Sequence, residues 1–310
     1  MRLEPRDDWV YWMLLAHYAS TETRKRFWRE RPDDVGQFLR TLPDWDALQA
    51  HLVQEALTLN LLCEQGGCLL TIADDAYPDA LRQAQGLNPP LVLYALGDVG
   101  ILHEPPLVAL AGSRHASEYA LQEAQRLAAE LVQEGYHTVT GFARGVDETV
   151  AQTTLHYGGK TVGVLAQGLL HRLTQQAARA YMHALNDDRL LLLSELHPNT
   201  PWAGKFAMMR NRIVAGLADF LIIVEAGAEL SQRDGKTVRS GTFECAKIAH
   251  KAGRPVYALN LPAAGNQQLL AQGIAHRWGE PTPAPQQGAL FYTNRRARVH
   301  KSTDKRDPPP

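Results

Sequence analysis

Two short loops near the middle of this sequence combine glycine with arginine, two residue types that together bind phosphate. Residues 112–114 (Gly-Ser-Arg) follow one apolar segment, and Gly141 and Gly145 flank Arg144 after the next one. Glycine lets the backbone approach a ligand closely, while free amides ahead of a helix and an arginine side chain bind anion oxygens. Neither loop has the Lys-Ser/Thr ending of a Walker loop or the Gly-x-Gly-x-x-Gly of a dinucleotide site, so each alone is a weak signal.

Three further features add acidic, basic and hydroxyl side chains. Asp147 is positioned to cap the helix after the second loop. Arg210 and Arg212 lie on different faces of a predicted helix over residues 206–217, so we expect one to face a ligand and the other to pair with a carboxylate such as Glu225. Residues 240–242 (Ser-Gly-Thr) open another helix, where a hydroxyl commonly serves as an N-cap. If these segments meet at one sheet edge, the predicted phosphate-binding residues are Gly112, Ser113, Arg114, Gly141, Arg144, Gly145, Arg210, Arg212, Ser240, Gly241 and Thr242.

Side chains that could catalyse a reaction are sparse. The sequence contains no Gly-x-Ser-x-Gly, no His-Glu-x-x-His and no carboxylate pair at metal-binding spacing. Glu195 and Glu225 end apolar segments, and we expect them to bond a helix amide or an arginine rather than to act as a general base. Cys63, Cys68 and Cys245 lack partners at zinc-site spacing, so we expect structural thiols and neither a metal nor a cofactor. These features predict a binding protein that is not an enzyme.

Composition favours a soluble protein of the cytoplasm. The 310 residues are 45% hydrophobic, which is enough for a sizeable core, and no apolar run reaches the length of about 18 residues that a membrane span needs. The acidic start does not resemble a signal peptide. Because the net charge is only −1, any polyanion must be bound by a localised patch or by backbone amides.

Apolar segments of strand length alternate with amphipathic helical windows over most of the chain. One of these windows, residues 118–134, has Ser117 as a candidate N-cap and Gly135 as a candidate C-cap. The alternation predicts an α/β fold, an extended Rossmann-like doubly wound and mostly parallel sheet, which binds ligands at the carboxyl ends of its strands. The predicted strands are residues 91–96, 107–111, 137–140, 161–166, 190–194, 220–225 and 255–259.

Composition shifts divide the chain into three parts. Short helical windows predict a small helical domain over residues 1–70, followed by the Rossmann-like domain over 71–265. Residues 266–310 become rich in proline and then basic, which predicts a flexible tail that could contact phosphates without a fixed structure. The polar stretch 227–239 is an insertion that we interpret as a mobile lid.

The order of these motifs resembles the DNA-processing protein A (DprA/Smf) family over roughly residues 70–259. No single motif is specific, but the ordered set is. The matching segments are DAYPDAL (75–81), PPLVLY (89–94) with Gly97, GSR (112–114), TGFARGVD (140–147), GL (168–169), SE (194–195), RNRIVAGL (210–217), VEA (224–226) and SGT (240–242).

The resemblance implies a protein that binds single-stranded DNA and helps to load a RecA-type recombinase during natural transformation, with a homodimer as one arrangement and no membrane contact. Carried over by position, residues 112–114, Gly141, Gly145, Arg210 and Arg212 would form the pocket for DNA phosphates. An alternative is a nucleotide-binding sensor or a nucleotide-processing enzyme, for example in phage defence, because Rossmann-like proteins with glycine-rich loops include both.

Three departures from the family pattern bear on this expectation. Ala151 stands where the family usually has a histidine, so one pocket contact is expected to be missing. The stretch before Ser240 is longer than usual, and no sequence typical of the family's C-terminal winged helix is present. These differences affect the choice of partner more than the fold.

Overall fold

Five helices at the start of the chain pack onto one face of a central sheet. In the computed structural model, which describes residues 3–84, 86–104, 106–233 and 235–280, the buried residues of these helices and of that face form one hydrophobic cluster. Trp9 and Met13 of the first helix are fully buried there. The helices are α1 (Trp9–His17), α2 (Thr21–Glu30), α3 (Val35–Arg40), α4 (Trp45–Gln49) and α5 (Leu52–Glu64).

The rest of the described chain alternates strands and helices. The strands are β1 (Gly67–Thr71), β2 (Val92–Gly97), β3 (Leu107–Ala111), β4 (His137–Thr140), β5 (Thr161–Val164), β6 (Leu190–Ser194), β7 (Phe220–Ile223), β8 (Leu230–Arg233), β9 (Lys236–Arg239), β10 (Val256–Ala258) and β11 (His276–Arg277). The helices are α6 (Asp79–Arg82), α7 (Glu118–Gln133), α8 (Val146–His156), α9 (Arg172–Ala180), α10 (Met182–Asn186), α11 (Gly204–Leu217), α12 (Gly241–Lys251) and α13 (Ala264–Ala271), with a 3₁₀ turn at Val99–His103.

Nine strands form a single sheet in the order β1-β2-β6-β5-β4-β3-β7-β10-β11. From β3, strands β4, β5 and β6 are added on one side and β7, β10 and β11 on the other, and these seven strands are all parallel. The strand order therefore reverses between β3 and β7. Strand β2 is antiparallel to β6, and β1 to β2. This arrangement confirms the predicted doubly wound, mostly parallel α/β fold.

Helix α7 shows how the sequence specifies these units. Ser117 caps it by accepting a hydrogen bond from the backbone of Ala120, and Gly135 follows it with a positive φ of 84°. The N-cap agrees with the sequence pattern, whereas the C-cap is Glu134 and the predicted glycine lies one residue beyond it. Its predicted apolar face is buried against the sheet through Ala120, Ala124, Leu127, Ala128 and Leu131.

The structure differs from the predicted segment borders in two places. Strand β1 begins at Gly67 and is fully buried beneath α5, so the sheet already starts inside residues 1–70. Residues 264–280, much of which we assigned to the tail, form α13 and β11. The buried Asn266 side chain holds them by donating to the carbonyls of Val224 and Leu259 and accepting from the amide of Ala226. Hydrogen bonds of this kind leave no apolar periodicity in a sequence. Residues 281–310 lie outside the described chain.

The stretch that we interpreted as a lid contains a β-hairpin. Strands β8 and β9 pair only with each other and form a separate two-stranded sheet. None of the described helices is both long and apolar enough to cross a membrane.

Candidate functional site

A cavity of about 780 Å³ opens at the carboxyl edge of the parallel sheet. The loops after β3, β4 and β5 meet there with α9 and α11, as expected for a doubly wound sheet. Four of the predicted residues line this cavity, which we call the edge pocket: Arg114, Gly141, Arg144 and Arg210.

Two glycines behind the edge pocket let its first two loops touch. A Cβ on Gly112 would lie 2.4 Å from Cγ2 of Val146, so only glycine fits there. Gly145 has a φ of +83°, and a Cβ on it would lie 2.4 Å from the carbonyl oxygen of Ser113. The same carbonyl accepts a hydrogen bond from the amide of Val146 at 3.3 Å. Gly112, Ser113 and Gly145 therefore fix the position of the loops and do not line the pocket.

Arg210 forms the floor of the edge pocket. Its residue is 8% exposed, and Nη2 lies 3.6 Å from Oδ2 of Asp147, which is longer than a good hydrogen bond. Nε makes no hydrogen bond to any described residue. Because a buried guanidinium with unmet donors is costly, this position is suited to an anionic ligand that supplies the missing acceptors.

The electrostatics of the pair point in the same direction. Burial lowers the pKa of Arg210, against the attraction of Asp147. Burial likewise raises the pKa of Asp147, while Arg210 and the amide of Gly112 act to lower it. Both shifts mean that one carboxylate does not fully compensate burial of the guanidinium.

Asp147 does not cap α8, contrary to the sequence-based expectation. Gly145 occupies the N-cap position, because its positive φ turns the chain into the helix, and Asp147 is the second helical residue. Its carboxylate accepts from the amide of Gly112 at 3.4 Å and faces Arg210. It therefore ties the loop after β3 to the floor of the pocket.

Arginine and aromatic side chains form the rim. The guanidinium of Arg114 lies over the ring of Trp202, 5.3 Å from its centroid, and Trp202 remains 44% exposed. Phe142 adopts a positive φ of 53°, and its ring meets Tyr181 edge-on at 5.4 Å. The rim thus offers cations and flat apolar faces side by side. Arg144 is also exposed there.

Arg212, which the sequence pattern placed among the pocket residues, lies outside the edge pocket. Two residues along α11 from Arg210, it points to another side of the helix and pairs with Glu195. One arginine of α11 thus faces the cavity and the other binds a carboxylate, as expected, but that carboxylate is Glu195 rather than Glu225. Burial raises the pKa of Glu195, and Arg212 opposes this shift.

Glu225 fastens the loop after β3 instead. Its carboxylate accepts from the Ser117 amide at 3.1 Å and from the Ser117 hydroxyl at 2.6 Å. Its carbonyl accepts from the Ser113 amide at 2.8 Å. Glu195 and Glu225 therefore have the pairing and capping roles that the sequence favoured over a general base.

The segment of residues 240–242 opens α12 and does not line the edge pocket. The hydroxyl of Ser240 caps this helix by accepting from the amide of Phe243 at 3.3 Å. The carbonyl of Gly241 accepts from Nδ2 of Asn211 at 2.9 Å. This segment therefore belongs to the contact between α12 and α11. None of the three predicted residues, Ser240, Gly241 and Thr242, lines the edge pocket.

Several lining residues were not predicted. Trp202 precedes α11, and Gln167, Gln176 and Tyr181 come from the loop after β5 and from the α9 region. Trp202 directly follows a proline in a polar stretch, which was the one available signal that it might be exposed. Nothing in the spacing of the glutamines distinguishes them from ordinary surface residues.

Within the described residues, no group of three or more His, Cys, Asp or Glu side chains could hold a metal ion. Burial raises the pKa of Cys68 to about 11 and that of Cys245 to about 12, which makes these two thiols poor nucleophiles, as expected for structural cysteines.

Comparisons with known proteins agree with this architecture. The DNA processing protein DprA of Bacillus subtilis is 30% identical over 220 residues, covering 69% of this chain and 69% of its own. That of Streptococcus pneumoniae is 31% identical over 189 residues, 61% of each chain, and a putative DprA of Mycobacterium tuberculosis is matched over 62% of its length. The matched region thus covers 61–69% of the length of these three relatives.

Solved structures show the same fold. DprA from Streptococcus pneumoniae superposes with a TM-score of 0.68 at 23% identity, covering 89% of this chain and 95% of that one. DNA processing protein A from Helicobacter pylori, described with its single-stranded DNA binding mode, gives a TM-score of 0.56 at 26% identity over 69% of this chain and 91% of its own. The model of the DNA recombination-mediator protein A family matches residues 68–283. The chain belongs to that family.

Proposed function

We propose that this protein binds single-stranded DNA in the edge pocket and acts as a recombination mediator during DNA uptake and processing. One observation carries the proposal: Arg210, nine-tenths buried at the floor of an open cavity, has a guanidinium that Asp147 satisfies only loosely. A phosphate oxygen supplies the charge and the acceptors that this group lacks. Arg114 and Arg144 at the rim add positive charge for neighbouring phosphates.

The aromatic rim supports a single strand rather than a duplex. Bases of a single strand are free to stack on the exposed ring of Trp202, whereas those of a duplex are already stacked on each other. A concave pocket also suits one flexible backbone better than the stiff cylinder of a double helix. Stacking is tolerant of sequence, so we expect little base specificity.

A binding role without catalysis is the simplest use of these residues. Asp147, Glu195 and Glu225 are each engaged by an arginine, an amide or a hydroxyl. Glu148 also lines the edge pocket and is exposed, but no Ser, Thr or Cys side chain that it could activate is among the described residues that line the pocket. We further propose a RecA-type recombinase as partner, and a homodimer that would present two pockets to it.

Fluorescence anisotropy with a labelled oligo-dT tests the proposal. We expect binding that is stronger than to a duplex of equal length, and a log–log salt slope of roughly −1.4 to −2.8 if two to four phosphates are neutralised at about −0.7 each. Arg114→Ala is expected to weaken binding by about 1.5–3 kcal/mol. Arg29→Ala, which removes an exposed arginine on α2, is the matched control and should bind normally.

Two results would contradict the proposal. Equal affinity for duplex, or a flat salt response, would exclude the single-strand site. Displacement of the oligonucleotide by a free nucleotide at equal concentration would favour the alternative, a nucleotide sensor or a nucleotide-processing enzyme.

A further inference from the structure

The β8–β9 hairpin forms no strand pairs with the nine-stranded sheet. Its four β9 residues are all exposed, and on β8 Leu230 is 53% exposed. Both strands pair only with each other, in the register Leu230↔Arg239 to Arg233↔Lys236. A two-stranded ribbon alone is only marginally stable, so this exposed ribbon adds little to the stability of the core and its side chains are free to meet a partner.

Charge and face pattern identify the kind of partner. Residues 230–239 contain three basic residues and one acidic residue in a chain whose net charge is −1. Cross-strand neighbours share a face, so Leu230 lies with Arg239 on one face and Val238 with Ser231 on the other. The two exposed apolar residues therefore do not form one apolar patch. A polyanion fits this surface better than an apolar protein groove does.

The base of the hairpin is fixed firmly to the fold. The amide of Ser240 donates to the carbonyl of Glu229 at 3.1 Å, which closes the ribbon. The Glu229 carboxylate pairs with Lys247 at 2.7 Å, and its amide donates to Oε1 of Gln268 at 2.9 Å. A fixed base gives the ribbon a defined starting point, so binding does not have to order it fully.

The hairpin starts beside the edge pocket. The carbonyl of Gly241, next to its base, accepts a hydrogen bond from Nδ2 of Asn211 on α11 at 2.9 Å, and the neighbouring Arg210 forms the pocket floor. One helix thus connects the base of the ribbon with the edge pocket.

We propose that the β8–β9 hairpin is a second contact for the same DNA strand and binds phosphates of the segment that leaves the edge pocket. The contact rests on the proposed function of the pocket. Lys236 is exposed on one face of the ribbon, and Arg239 is 68% exposed on the other with only a 3.9 Å approach to Glu244, so a flexible strand that crosses the ribbon meets one cation on each face. The pocket holds the first nucleotides, and the ribbon extends the binding site to longer strands.

Oligonucleotide length separates the two contacts. The test variant is Lys236→Ala/Arg239→Ala, and the control is Lys25→Ala/Arg29→Ala, which removes two exposed cations of α2. Anisotropy is measured with oligo-dT of about 5 nucleotides, near the lower end of known single-strand site sizes, and of about 20 nucleotides. We expect the hairpin variant to bind the longer strand about tenfold more weakly and to bind the shorter one like the parent protein. Its salt slope for the longer strand should fall by about 1.4, for two phosphates.

Each other outcome overturns the inference in a recognisable way. Unchanged affinity for the longer strand means that the ribbon does not bind DNA, and if the variant then loses binding to a recombinase, the ribbon is a protein-docking element. Equal weakening for both lengths makes the ribbon part of the pocket. If the parent protein binds neither oligonucleotide, the function proposed for the pocket fails first. The affinities of the parent and of the hairpin variant for heparin, a polyanion without bases, are then compared, and equal affinities would show that the ribbon does not bind anionic chains.

Discussion

Substituting Gly141 by alanine places a methyl group where the guanidinium of Arg210 now lies. A Cβ built on Gly141 would be 1.4 Å from Nη1 and 1.7 Å from Cζ of Arg210, far inside van der Waals contact. The backbone of Gly141 has no positive φ, so alanine itself is tolerated there. Because the surrounding core is close-packed, the guanidinium must leave its place above Asp147.

The expected loss follows from what Arg210 contributes. A hydrogen bond to a charged group is worth about 1.5–3 kcal/mol, so Gly141→Ala should weaken binding of single-stranded DNA by roughly 10- to 150-fold. Overpacking costs about 1–3 kcal/mol of unfolding free energy. For a chain of this size that corresponds to a fall in Tm of about 2–8 °C, so the variant should remain folded at 25 °C.

Anisotropy with oligo-dT and a thermal melt measure both effects on one sample. Gly204→Ala is the control, because nothing lies within 4 Å of its Cβ position, and it should change neither quantity. A Gly141→Ala variant that melts earlier but binds DNA as tightly as the parent would refute the reasoning. It would mean that the guanidinium has moved without any effect on the ligand, and that Arg210 does not bind phosphate.

Three further predictions concern charge. Arg210→Met should lower Tm, and the difference in Tm from the parent should narrow as the pH falls from about 7 toward 5. Burial already raises the pKa of Asp147, and loss of Arg210 raises it further. The ionised carboxylate of Asp147 therefore destabilises the variant at neutral pH, and its protonation at lower pH restores that stability. Melts at several pH values check this, and a constant difference would contradict it. Arg212→Met should leave DNA affinity unchanged but lower the unfolding free energy by about 3 kcal/mol, because Glu195 loses its cation; denaturant titration measures the loss. Removing residues 281–310 should keep Tm and reduce the salt slope of DNA binding, and a much earlier melt would show that the segment is structural.

The sequence predicted best those parts of the fold that are marked by residue type, namely buried strands and glycines with a positive φ. Buried parallel strands appear as apolar runs, so β3 to β7 were predicted within a residue or two. Gly145 was informative because its backbone needs a positive φ, which few other residues accept. The segment from α13 to β11 was missed because it buries few apolar residues, among them Leu269 and Ala275, and because a polar side chain, Asn266, supplies hydrogen bonds that attach it. The hairpin was missed because neither face of its strands is buried, so no alternation marks them.

The pocket was predicted less completely because helix rotation is a tertiary property. Arg210 and Arg212 are the same residue type two positions apart, and only the packing of α11 against α12 and the sheet decides which of them meets the cavity. The consequence is energetic as well as geometric. Arg212 pairs directly with Glu195, and although its Nη1 makes no hydrogen bond to a described residue, it does not line the edge pocket, so a ligand there cannot supply the acceptor. Arg210 shares a loosely placed carboxylate in a buried site, which costs stability in the free protein. A phosphate bound at the proposed site would supply the acceptors that Asp147 does not provide, so of the two arginines the one whose burial is less well compensated is the one suited to bind.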